Sequence, residues 1–261
     1  MTEQKISAAL AAAGFENAVL EARLLCEYFS GEALQRALEK RLLHEPLQYI
    51  LGEWCFFRET YEVNEHCLVP RPDTELLVEK AVALLPRGAH FLDLCTGSGC
   101  VAISTLATRK DTTATMVDLF PETLALAKRN AHKNGVAERV APQLADVLES
   151  PSPAIFPQHH FAAILSNPPY IRSDVLKDLQ PEVQKEPRAA LDGGMDGLNF
   201  YRALLEKWAD CLSPDGFFLF EIGYDQKNDI TDLAQKHGFS CTVYKDFGGN
   251  DRVAYLVRTP S

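Results

Sequence analysis

Apolar positions in residues 1 to about 50 recur at helical spacing, with polar residues between them. A first Ala-rich segment can be capped by Thr2 and ended by Gly14. A second carries Leu20, Leu24, Leu25 and Tyr28 and can be capped by Asn17. A third carries Leu34, Leu38, Arg41 and Leu42 and stops before Pro46. Each exposes a stripe that must pack on a neighbour, so residues 1–51 are expected to form a small helical domain. Residues 52–72 change to short strand-like runs, Phe56-Phe57 and Tyr61-Glu62-Val63, and read as a hairpin connector. Val69-Pro70-Arg71-Pro72-Asp73-Thr74-Glu75 follows; its prolines stiffen the backbone, and Asp73 or Thr74 can cap a helix to about Leu85.

From His90 onward, apolar runs of strand length alternate with helical patterns. Strands are expected at 90–94, 113–117, 139–144, 161–166 and 216–222, and helices at 99–109, 121–134, 197–212 and 226–237. Such alternation predicts an α/β fold, a parallel sheet with helices on both faces. The end departs from it. Ser240–Asp246 and Arg252–Arg258 are two strands with only residues 247–251 between them, a hairpin that puts an antiparallel strand into the sheet. Ser150–His160, with three prolines, reads as a surface loop. Residues 73–261 are thus expected to form the main domain.

Composition narrows the function classes. The 261 residues are 46% hydrophobic and 24% charged, enough to bury a full core. No apolar run approaches the ~18 residues of a membrane span, and the start Met1-Thr2-Glu3-Gln4-Lys5 is not that of a secretory signal. The seven cysteines form no CxxC pair and read as reduced thiols of a cytoplasmic protein, with no metal site expected. A net charge of −10, with no Lys/Arg run longer than two, disfavours the coating of free DNA. It leaves room for a basic protein partner or a local nucleic-acid contact. No sign of a dimer interface is present, and a monomer is expected.

The chemistry sits at strand ends. Phe91-Leu92-Asp93-Leu94-Cys95-Thr96-Gly97-Ser98-Gly99 ends a strand and opens a helix, with small residues that let a ligand approach the backbone. It is neither a P-loop nor G-x-G-x-x-G, and alone it is equally a tight turn. Asp118 ends the next strand and suits the two hydroxyls of a ribose; Asp146 ends the third and can accept from an adenine amino group. The bland alternative is that both acids are solvated or cap the following helix. The fourth strand runs into Asn167-Pro168-Pro169-Tyr170. Its prolines hold the backbone rigid, so that the Asn167 carboxamide oxygen and the Pro168 carbonyl can each accept one hydrogen of a planar NH₂ group. Tyr170 offers either a flat face for that group or simple core packing.

In this order, a D-x-x-x-G-x-G loop, two strand-end acids and NPPY resemble a class I S-adenosylmethionine methyltransferase, a Rossmann-like fold of seven strands with an antiparallel terminal pair. Upstream, Glu45-Pro46-Leu47-Gln48-Tyr49-Ile50-Leu51-Gly52 and Val-Pro-Arg-Pro-Asp-Thr-Glu at 69–75 narrow the resemblance to the peptide-chain release factor glutamine methyltransferases. Glu186-Pro187, Ala190-Leu191, Gly194, Asp196-Gly197-Leu198 and Glu221-Ile222-Gly223 extend it over nearly the whole chain. The resemblance implies transfer of a methyl group to the side-chain amide of the GGQ glutamine of release factors, with residues 1–51 recognising the substrate protein. It implies S-adenosyl-L-methionine held by Asp93, Cys95, Thr96, Gly97, Ser98, Gly99, Asp118, Asp146 and Asn167. It gives the target glutamine to Asn167, Pro168, Pro169 and Tyr170, with Asn167, Pro168 and Tyr170 catalytic.

Three positions depart from the family pattern. Cys95 stands where the loop's first glycine is usual, and would be strained if that position needed φ > 0. The chain is short between Phe29 and Leu34, and Arg58 replaces a common glycine. Arg71 and Glu75 are expected to be structural, while Glu186 and Arg188 could gate or bind substrate. The rival readings are a glutamine methyltransferase for a ribosomal protein, an adenine amino-group methyltransferase that flips its base, and a donor-binding protein without turnover.

Overall fold

The computed structural model describes residues 1–156 and 158–259. Pro157, one of the prolines of the expected 150–160 loop, lies outside these, as do Pro260 and Ser261 at the end of the expected main domain.

Four helices come first: α1 (Glu3–Ala12), α2 (Ala18–Tyr28), α3 (Gly31–Leu42) and a short α4 (Leu47–Leu51). Gly14 follows α1 with φ +89, as a left-handed stop requires. Thr2 and Asn17 stand at the N-caps of α1 and α2, but neither side chain makes a capping bond. The buried side of α2 is Ala18, Ala22 and Leu25, whereas Leu20 and Tyr28 are exposed. Pro46 ends the run after α3 as expected, and with ψ +129 it stands just outside α4 as its N-cap. The inward stripes meet in a cluster of their own that includes Ile6, Leu10, Leu25, Leu34 and Leu38.

Buried Arg41, near the end of α3, ties this unit to the rest. Its Nε and Nη2 donate to the two carboxylate oxygens of Glu21 at 2.6 and 3.0 Å, and its Nη1 donates to Glu182 at 3.0 Å. Glu182 belongs to the long segment that carries the NPPY residues onward. Truncation of Arg41 to alanine strands two carboxylates, one of them buried. Urea denaturation is expected to show a loss of about 3 kcal/mol; a change within the scatter of surface variants would deny this anchoring role.

β1 (Glu53–Phe56) and β2 (Glu59–Glu62) form the antiparallel hairpin. Phe57, expected in a strand, occupies the turn with φ +57. The main domain then runs α5 (Glu75–Leu84), β3 (His90–Leu94), α6 (Cys100–Thr108), β4 (Thr113–Asp118), α7 (Pro121–Lys133), β5 (Val140–Leu144), β6 (Phe161–Ser166), α8 (Asn199–Lys207), β7 (Leu212–Glu221), α9 (Lys227–Lys236), β8 (Phe239–Lys245) and β9 (Asp251–Arg258). The expected helix 197–212 is too long. α8 ends at Lys207, where fully buried Trp208 donates its indole N–H to the Val147 carbonyl at 3.0 Å, and a 3₁₀ turn leads into β7 at Leu212.

The seven strands lie in the order β5-β4-β3-β6-β7-β9-β8. The β5-to-β7 pairs are parallel; β9 is antiparallel to both its neighbours. Successive residues face opposite sides of a strand, and the core is accordingly double. Phe91, Ala163 and Leu165 join one apolar cluster, Leu92, Leu94 and Ile164 the other. The chain runs outward from β3 in one direction and from β6 in the other. Their carboxyl ends, at Leu94 and Ser166, therefore flank the crevice where ligands bind in open α/β sheets. Among the described residues no helix is long and apolar enough to cross a membrane, and no cluster of His, Cys, Asp and Glu is arranged to hold a metal. All seven cysteines are free.

Candidate active site

The loop after β3 is held from below by Asp93, which is 1% exposed. One oxygen, Oδ2, accepts both the Thr96 hydroxyl at 2.6 Å and the Ala102 N–H at 3.2 Å. Burial pushes the Asp93 carboxyl up to about 7 in spite of these two donors. The Cys95 backbone has φ +59, the left-handed conformation that glycine adopts freely and cysteine at a cost of about 1 kcal/mol or more. The strain is held because Thr96 N–H donates to the Val117 carbonyl and Gly97 N–H to Asp118 Oδ2, both at 3.0 Å. The Cys95 side chain packs on the apolar cluster of one sheet face, and burial drives its thiol well above the ordinary cysteine range. It is an inert thiol. Gly99 has φ +83, and a Cβ there would come within 2.8 Å of Ile103 Cδ1. Gly97 has φ +56, and a Cβ there would meet nothing within 4 Å, so the loop is open on that side.

A cleft of about 450 Å³ lies over this loop, lined among others by Thr96, Gly97, Ser98, Asp118, Asp146 and Asn167. Asp118 ends β4 as expected, but its carboxylate also braces the local backbone. Its Oδ2 takes Gly97 N–H, and its Oδ1 takes Phe120 N–H at 3.2 Å. Burial raises its pKa. Asp146 does not end β5. Pairing stops at Leu144 opposite Asp118, and Asp146 sits in the turn beyond, where its Oδ1 accepts Leu148 N–H at 2.8 Å.

A second cavity of about 360 Å³ adjoins the first, lined by Asn167, Pro168, Tyr170, Glu221, Leu68 and Arg71 among others. Asn167 borders both cavities. Its Nδ2 donates to Thr74 Oγ1 at 3.2 Å, which leaves the carboxamide oxygen free to accept. Pro169, expected with the target-binding residues, lines the larger cleft, and Pro168 lines the smaller. Consecutive residues at this bend diverge, so Pro168 and Pro169 serve different walls. The Tyr170 ring packs on an apolar cluster and borders the small cavity, and its hydroxyl donates to Glu221 Oε1 at 3.2 Å. Its carbonyl accepts Gln226 Nε2 at 3.1 Å. A Cβ at Gly193 would come within 2.7 Å of Tyr170 Cα, so this backbone is gripped from two sides.

Arg71 pairs with Glu186, whose other oxygen accepts Val69 N–H at 2.9 Å, and Glu75 accepts Phe57 N–H at 2.9 Å. Arg188 pairs with Asp192 on the surface.

Comparison with known proteins decides the family. Residues 72–194 match the Methyltransferase small domain family. The chain is 36% identical to a release factor glutamine methyltransferase of Thermodesulfovibrio yellowstonii, over 87% of this chain and 82% of that one. It is 34% identical to a release factor glutamine methyltransferase of Caulobacter vibrioides, over 95% and 92% of the two chains. The chain belongs to the release factor glutamine methyltransferase family. A solved methyltransferase of Pyrococcus furiosus shares the fold, with a TM-score of 0.54 and 22% identity over 76% of this chain and 87% of that one.

For a release factor glutamine methyltransferase, two residues near NPPY escape a reading of the sequence as parts of the site. Thr74 reads as a helix cap, and only the tertiary contact reveals it as the partner of Asn167. Glu221, 1% exposed at the end of β7, reads as one more motif acid. Its only sequence signal is a charged residue closing an otherwise apolar strand, Phe217-Phe218-Leu219-Phe220-Glu221.

Proposed function

We propose that this chain methylates the side-chain amide nitrogen of the GGQ glutamine of peptide-chain release factors, with S-adenosyl-L-methionine as donor. The observation that carries the reading is the pair of cavities that meet at Asn167. The larger has the room of a small-molecule site, an open glycine face and two acids at its rim, which fits a nucleoside joined to an amino acid. Thr96, Gly97, Ser98, Gly99, Asp118 and Asp146 would hold that group, with Asp93 and Cys95 shaping the loop beneath it. When bound, it supplies an electrophilic methyl group on a sulfonium.

The chain's own residues handle the acceptor. An amide nitrogen is a poor nucleophile, because its lone pair is delocalised into the carbonyl. Asn167 Oδ1 and the Pro168 carbonyl accept its two N–H bonds, and the Tyr170 ring supports its plane. As positive charge develops on nitrogen, both hydrogen bonds strengthen, so they favour the transition state over the ground state; the nitrogen, once it carries the methyl group, gives up one of its two protons to water. Fixing the amide in line contributes further, up to ~7–11 kcal/mol in favourable cases.

In the same reading residues 1–51 recognise the substrate protein, 52–72 connect, and 73–261 carry the reaction, in a cytoplasmic monomer. Support comes from the separate core of the helices and from Arg41, which joins them to the segment bordering the acceptor cavity. Mass spectrometry of a purified release factor incubated with this protein and S-adenosylmethionine is the test. One added methyl group on the GGQ glutamine is expected. No addition, with donor binding intact, would sink the reading.

A further inference from the structure

Glu221 is a buried carboxyl group with an unusual lack of company. Its Oε1 receives the Tyr170 hydroxyl, while Oε2 is buried with no hydrogen-bond partner among the described residues. The groups around it come from several elements. Thr74 and Asp73 approach from the turn before α5, Tyr170 from the segment after β6, and Arg252 from β9. Tyr201 of α8 donates to the Glu221 main-chain carbonyl at 2.7 Å, and Cys100 of α6 is near enough to feel its charge. Arg252 does not neutralise it by contact, because that guanidinium is paired with Asp73 at 3.3 Å and Asp246 at 3.2 Å. Such a group weighs on stability, and a glutamine or an apolar side chain would be cheaper there.

Its contacts lead in one direction. Tyr170 forms a wall of the acceptor cavity, which Glu221 itself borders. Thr74, beside the carboxylate, is the acceptor for the Asn167 amide. We propose that Glu221 is a positioning residue for methyl transfer: its carboxylate holds Tyr170 in the orientation the acceptor amide requires, beside the Thr74 that anchors Asn167. This rests on the functional reading above. Burial pushes the carboxyl up to about 7, against the pull of Thr74, Arg252 and Tyr170. The ionised form, the stronger acceptor for the Tyr170 hydroxyl, is therefore populated within the working range of pH.

The sign for stability follows from the same shift. The folded-state value lies above that of an ordinary glutamate, so this group's contribution is full below about pH 4.5 and is lost as pH rises through about 7. Neutral glutamine removes that loss. A merely structural carboxylate would make Glu221→Gln less stable; a positioning carboxylate makes it as stable or more stable at pH 8, yet slower.

The test uses the full chain, an intact release factor and S-adenosylmethionine, assayed from about pH 6 to 9. Wild-type kcat is expected to rise to a plateau above about pH 7. Glu221→Gln is expected to lower kcat roughly ten- to a hundredfold, with a flat profile through neutrality and little change in KM for the release factor. Its melting temperature at pH 8 should equal or exceed that of wild type, and calorimetric binding of S-adenosylhomocysteine should be unchanged. Adding Tyr170→Phe to Glu221→Gln should cost little beyond Tyr170→Phe alone, because both act on the same hydrogen bond, which glutamine weakens and phenylalanine removes. Wild-type kcat in Glu221→Gln, the same pH profile in both proteins, a lower melting temperature, lost donor binding, or additive effects with Tyr170→Phe would each overturn the assignment. A wild-type protein that leaves the release factor unmethylated would instead overturn the functional reading, and the assignment with it.

Discussion

Asn167→Ala is expected to reduce turnover of a release factor by about a thousandfold, at the upper end of what one preorganised hydrogen-bonding group contributes. The two ends of the side chain act differently. Its amide nitrogen is spent on Thr74, so its oxygen is the group that faces ligands, and it borders both cavities. Alanine removes the acceptor for the developing charge and leaves a gap between donor and acceptor. The fold should be spared, because only one side-chain hydrogen bond is lost; a stability change of about 1 kcal/mol is expected in urea. Single-turnover mass spectrometry measures the rate, and calorimetry with S-adenosylhomocysteine measures the donor site separately. Turnover within tenfold of wild type would remove Asn167 from the mechanism.

Asp93 should show a sharp contrast between two replacements. Both its bonds, from Thr96 and from Ala102, end on the same oxygen. Asp93→Ala frees the loop from the start of α6, exposes the strain at Cys95, and is expected to weaken donor binding about a hundredfold. Asp93→Asn keeps an oxygen for both donors and removes a buried charge. The wild-type carboxyl is raised to about 7, so its share of stability is full below about pH 4 and lost as pH rises through 7. Asp93→Asn should therefore match wild type at low pH and exceed it by a few kcal/mol at pH 8 in thermal or urea unfolding. Its donor affinity then reads the second oxygen alone. Unchanged affinity assigns Asp93 to the loop; a tenfold or larger loss assigns it to the donor as well. An Asp93→Ala protein that binds donor like wild type would contradict both.

The alternating half of the chain is legible because its strands are short apolar runs with marked ends. His90–Leu94 and Phe161–Ser166 have the limits their sequence suggests, each followed by small or proline residues. Limits are lost where a tertiary partner decides them. The 197–212 pattern continues as a helix by spacing, but the pocket for Trp208 and the pairing of Leu212 with Phe161 stop it. Caps fail for the same reason: Thr74 is a good capping residue by type, and its hydroxyl is taken by Asn167. In the site, contiguous motifs are legible and assembled ones are not. Residues 93–99 and 167–170 announce themselves, whereas Glu221 gains meaning only when β7 is laid beside β6. The left-handed turn at Cys95 is foreseeable as a strain, since the position is one where glycine is usual; that the strain is present needs the backbone.

The placement of β9 between β7 and β8 sets an order of events during folding. The loop beneath the larger cleft draws on β3, β4 and the turns after them, a stretch of chain that can close over short loops. The acceptor wall joins Thr74, Asn167, Tyr170 and Glu221, with Arg252 of β9 reaching back to Asp73. Contacts between such distant residues carry the larger loop-closure cost and are slow to form. Moreover, β8 pairs only with β9, so the two add to the β7 edge together as a hairpin, after β7 is in place. A refolding chain should thus become able to bind nucleoside before it can grip an amide. Donor present early would act as a template, stabilising the half of the sheet on which the later half closes.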